Sequence, residues 1–119
     1  MDRQFAPGDY LLFQLESGFG LLRILAIEGE GPQTSWHIMA YDEFFASSED
    51  AEAAVRTPGS LHTRKAHMAL TDRAFERTPA ARIANQPLTK DDLNAFEEWK
   101  SSGGMHISDR SALLQLGIR

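Results

Sequence analysis

Between Tyr10 and Ile27 the chain is apolar at nearly every position on both sides of one short break, Glu16-Ser17-Gly18. A strand with one wet face alternates apolar and polar residues. A strand apolar at successive positions is covered on both faces or coiled around a small barrel. Tyr10-Leu11-Leu12-Phe13-Gln14-Leu15 and Phe19-Gly20-Leu21-Leu22-Arg23-Ile24-Leu25-Ala26-Ile27 therefore predict two antiparallel strands joined by a short glycine-containing hairpin loop. Pro7-Gly8-Asp9 supplies the turn that feeds the first strand. Gly20, inside the second, predicts a bulge or bend, which a short sheet needs in order to curl on itself.

Glu28-Gly29-Glu30-Gly31-Pro32 predicts the next turn, and Thr34 to Tyr41 a third strand, with Trp36, Ile38 and Ala40 on one face and His37, Met39 and Tyr41 on the other. A serine at 47 or 48, then Glu49, Asp50 and Glu52, with Arg56 at the far end, suits both ends of a helix dipole and predicts a short helix. Thr57-Pro58-Gly59 stops it, and Ala66 to Thr71 resumes as a strand with Ala66, Met68 and Leu70 on one face. Residues 72–87 show no usable period; Phe75 and Ile83 are their only large apolar side chains.

From Leu88 the pattern is helical. Thr89 is the N-cap, Asp92 stands where a capping box places its acid, Leu88 and Leu93 form a hydrophobic staple, and Leu93, Phe96 and Trp99 make the buried stripe. Gly103 and Gly104 end this helix, and Ser108 is expected to cap a last short one carrying Leu113, Leu114 and Leu116. The expected fold is one α+β domain over residues 1–119: an SH3-like antiparallel half-barrel of four to five strands, with a short helix after strand three and two C-terminal helices.

Composition narrows the function classes. The chain has no cysteine, which removes disulfides, zinc ribbons and thiol nucleophiles. No basic segment followed by an apolar run opens it and no run approaches membrane-spanning length, so a cytoplasmic location without membrane contact is expected. The net charge of −5 is unevenly spread: residues 1–55 carry two basic and ten acidic side chains, residues 56–82 six and two, and residues 83–119 four and five. The total argues against nucleic acid as the partner, because phosphate neutralisation needs a basic excess; the middle segment keeps that alternative open.

Three groups of residues are candidates for function. Asp42, Glu43, Glu49, Asp50 and Glu52, with the aromatics Phe44 and Phe45, form an acidic set suited to a basic partner. Two consecutive aromatics cannot both face inward on one strand, so one of them should lie under the short helix or at the surface. Arg56, Arg64, Lys65, Arg73, Arg77 and Arg82 form the basic pole, able to grip carboxylates or phosphates, to balance the acids within the chain or to meet a second copy in a homodimer. His62, His67 and Asp72 are the residues on which a small hydrolase-like enzyme would have to be built. The five-residue spacing of the histidines aligns them on neither a strand nor a helix, and no catalytic residues, metal ligands or cofactor are expected.

Phe5-Ala6-Pro7-Gly8-Asp9, the run Gly18-Phe19-Gly20-Leu21-Leu22-Arg23-Ile24-Leu25, the ending Tyr41-Asp42 of the third strand, and Ile83-x-x-Gln86-Pro87-Leu88-Thr89 resemble the immunity protein 26 family. Its members accompany bacterial polymorphic toxins. The resemblance implies a non-catalytic protein-binding module, an immunity-type inhibitor of a toxin domain. Where such families place a glycine before the Pro-Leu pair this chain has Asn85. The reading from the residues adds that the acidic face at 42–52 would make the contact, with an arginine-rich nucleic-acid-binding barrel as the alternative.

Overall fold

In a computed structural model, which describes residues 5–117, β1 (Asp9–Leu15) and β2 (Gly18–Glu28) form the expected hairpin, with Tyr10 opposite Arg23 and Leu15 opposite Gly18. A 3-10 turn at Gly31–Gln33 leads to β3 (Ser35–Phe45), which pairs with β2 and runs four residues beyond the Tyr41 at which the sequence pattern stops. Ser47 caps α1 (Ser48–Arg56), and β4 (Thr63–Thr71) pairs with β3. The stretch without period contains α2 (Asp72–Glu76) and β5 (Ala81–Asn85), the latter returning to pair with β1. The result is an open five-stranded antiparallel sheet in the order β4-β3-β2-β1-β5.

α3 (Lys90–Ser101) begins with a complete capping box, Thr89 Oγ1 accepting from the Asp92 amide at 3.1 Å and Asp92 Oδ2 from the Thr89 amide at 2.9 Å. α4 (Ala112–Gln115) is capped by Ser111, not by Ser108. Ser108 instead extends the sheet: its amide donates to the Ala69 carbonyl and its carbonyl accepts from Thr71, a short bridge alongside Leu70. No helix among the described residues is long and apolar enough to cross a membrane.

The sheet is covered on both faces, which is why β1 and β2 are apolar at successive positions. One face carries Leu11, Phe13, Leu22, Ile24 and Ile38 and is closed by Phe75 of α2 and by Ala112 and Leu116 at α4. Trp36 stacks flat on Phe75 there, ring centroids 3.9 Å apart. The other face carries Tyr10, Leu21, Leu25, Met39 and Tyr41 and is closed by Ala51 and Val55 of α1 and Phe96 of α3, with Leu93 and Trp99 half-buried beside it.

The β2–β3 register shifts where Gly20 sits. Gly20 faces Phe44 and Leu22 faces Ala40, so β3 carries two more residues than β2 over this stretch. A side chain at Gly20 would meet the buried Phe13 ring, since a Cβ there would stand 2.4 Å from its Cζ. Gly20→Val should therefore destabilise the fold by about 1–3 kcal/mol through overpacking, read as a lower urea midpoint at unchanged slope. An unchanged midpoint would show that Phe13 can move aside.

Candidate functional site

The bulge delivers the acidic set to one corner of the molecule, from the end of β3 into α1. Phe44 is 52% exposed while Phe45, pointing the other way, packs against the core face that α1 covers. Asp42, Glu49 and Asp50 are exposed and Glu52 is half-buried. Glu43 is engaged: its carboxylate accepts from the His62 amide at 2.7 Å and lies 2.6 Å from His62 Nδ1, tying β3 to the chain that enters β4.

The basic residues are distributed over several elements. Arg64 and Lys65 lie on edge strand β4, Arg82 on the opposite edge strand β5, Arg56 at the end of α1, and Arg73 and Arg77 on and just after α2. Several are engaged within the chain. Arg64 donates to the Leu116 carbonyl at 2.7 Å, Arg73 to Asp109 at 2.6 Å and Arg77 to the Asp109 carbonyl at 3.4 Å, while Arg82 stands 3.9 Å from the buried Asp9.

His62, His67 and Asp72 do not meet. His62 is held by Glu43, Asp72 accepts from Trp36 Nε1 at 2.8 Å, and His67 stacks on His37 of β3 with Nε2 to Nδ1 at 3.0 Å. Among the described residues no three His, Asp or Glu side chains are grouped to hold a metal. His37 and His67 lie beneath Phe96 and Trp99 of α3. The Glu28 carboxylate, 3.6 Å from His37 Nε2, favours the tautomer protonated there, so that His37 donates to Ser35 Oγ and accepts at Nδ1 from His67. Burial lowers the pKa of both rings, that of His67 to about 4 with His37 as the second cause.

The feature that sequence reasoning passed over is Arg23, only 4% exposed in the middle of β2. Its guanidinium lies 4.3 Å from the Tyr10 ring centre, donates to Asp92 at 3.2 Å and to the carbonyls of Gln86 at 2.9 Å and Pro87 at 3.3 Å, and leaves Nε without a partner. It forms part of the wall of a cavity of about 370 Å³ bounded by the sheet, the end of α1, the loop after it and the start of α3. A charge alone in an otherwise apolar strand was the signal available in the sequence.

Comparison of the chain with family models, with curated proteins and with solved structures finds no match. The functional reading therefore rests on the geometry above.

Proposed function

We propose that the chain is a non-catalytic protein-binding module, an immunity-type inhibitor that neutralises a bacterial toxin domain through its acidic corner at Asp42 to Glu52. The observation that carries this reading is Phe44: a large aromatic held half in water on a bulged strand, with exposed carboxylates before it in β3 and after it in α1. Interfaces concentrate their energy in a few aromatic anchors, and a charged rim steers encounter with a partner of opposite sign. Engagement of Arg64, Arg73 and Arg77 within the chain further supports the acidic corner over the basic segment as the contact. The sheet order and the bulged register support the finer reading of the fold as an SH3-like half-barrel. A cytoplasmic location suits a chain without cysteine.

The first test is the neighbouring reading frame: where it encodes a toxin domain, calorimetric titration of the chain with that domain measures the contact. Phe44→Ala should weaken binding at least tenfold, as loss of a hot-spot aromatic does, and Glu49→Lys with Asp50→Lys should slow association most at low salt. Affinity unchanged by both variants, each as stable as the parent, would reject the acidic corner.

A further inference from the structure

We infer that the cavity beside Arg23 is a binding site for a small organic oxyanion, a carboxylate or a phosphate monoester attached to an apolar body. Two arginines, Arg23 and Arg56, and one carboxylate, Asp92, line it. Asp92 is already committed, to Arg23 and to the Thr89 amide. The wall thus has one positive charge in excess.

Two features of the polar wall identify an anion. Arg23, nine-tenths buried, lines the cavity with the Asp92 carboxylate as its counter-charge, and its Nε, shut off from solvent, has no hydrogen-bond partner. Tyr41, which stacks beside Tyr10, places its hydroxyl among the Arg23 and Tyr10 side chains and 3.8 Å from the Met39 sulfur, where it can turn its proton to an anionic oxygen, a stronger acceptor than sulfur. Burial raises the Tyr41 hydroxyl far above its ordinary range, so it remains a donor at any working pH.

The rest of the cavity specifies an organic ligand over a bare ion. Its volume is in the range of small-molecule sites, several times what a phosphate ion fills, and Met39, Val55 and Leu61 supply apolar wall. Arg56, exposed at the end of α1, is placed to cover the anion at the mouth. This site shares no residue with the Phe44 contact apart from its neighbourhood to α1, so the two can fail separately.

The test is titration of the full chain with phenyl phosphate, benzoate and inorganic phosphate, followed by amide shifts in nitrogen-edited NMR spectra. Phenyl phosphate or benzoate should shift the amides of Arg23, Tyr41 and Arg56 saturably, with a dissociation constant on the order of 1 mM. Whichever of the two binds more tightly identifies the head group. Tyr41→Phe keeps the ring and should weaken binding about tenfold, the usual effect of one hydrogen bond to a charged group. Arg56→Gln, at an exposed position, should weaken it several-fold, whereas Arg110→Gln should leave it unchanged. The proposal is overturned by absence of saturable shifts for both organic probes, by binding indifferent to Tyr41→Phe and Arg56→Gln together, or by inorganic phosphate binding as tightly as phenyl phosphate.

Discussion

Asp92→Ala should destabilise the fold by about 3–5 kcal/mol, the cost of leaving a buried charge without its counter-ion, and lower the melting temperature by on the order of 15 °C. Asp92 holds two structures together. Its Oδ2 accepts from Arg23 in the centre of β2 and from the Thr89 amide at the start of α3. Loss of the cap alone accounts for about 1 kcal/mol, so the excess over that value measures the stranded arginine. The double variant Arg23→Met, Asp92→Ala separates the two contributions, because it removes the charge that the single variant strands. It should recover most of the loss, leaving a deficit close to that of the cap. A single variant that loses only the cap's share would show that Gln86 and Pro87 carbonyls suffice for Arg23.

Acid should unfold the chain through the stacked histidines. In the unfolded chain both imidazoles take up protons below about pH 6.5, whereas the folded structure holds both pKa values below that, His67 at about 4. The stability they contribute is therefore fully present above pH 6.5 and is lost as the pH falls from 6.5 towards 4. A shift of that size for His67 corresponds to on the order of 3 kcal/mol, and His37 adds to it in the same direction. Burial is the main cause for both. For His37 the Glu28 carboxylate opposes it and Lys100 reinforces it. Urea unfolding at pH 7.5, 6, 5 and 4.5 measures the slope, and His67→Phe, which preserves a ring for His37, Phe96 and Trp99 to pack on, should flatten it by about half or more. A slope untouched by His67→Phe would assign the acid sensitivity to other groups.

Legibility in the sequence followed the strength of local pattern. The β1–β2 hairpin, the faces of β3, the helix dipole of α1 and the capping box of α3 are each written in adjacent residues, so each was readable without knowledge of what packs where. β5 was not, because an edge strand of five residues with Ile83 as its one large apolar side chain is defined by its partner. Asn85 fixes it there by donating to Asp9 at 2.7 Å, and Gly8 is required alongside, since a Cβ on it would stand 2.4 Å from the Gln86 carbonyl oxygen. α2 has five residues, too few to show a helical period. Ser108 and Ser111 are equally good caps in isolation, and only the pairing of Ser108 with Leu70 decides between them. The histidine pair was hidden for the same reason: His37 and His67 are thirty residues apart and meet only through the β3–β4 ladder.

The acidic corner was legible as composition and as the expectation that one of two adjacent aromatics should lie under the short helix or at the surface; Phe44 is at the surface and Phe45 packs on the face that α1 covers. The cavity was not legible, because its wall combines β1, β2, β3, the end of α1 and the segment before α3.

Hydrogen exchange of the chain, alone and mixed with the products of the neighbouring reading frames, tests the proposed function most directly. Binding through the acidic corner should slow exchange from Asp42 to Glu52 and leave β5 and α4 unchanged, because a contact centred on Phe44 covers the end of β3 and the first turns of α1. Protection confined to Arg64, Lys65 and the α2 arginines, with the amides of residues 42–52 exchanging as in the free chain, would contradict it.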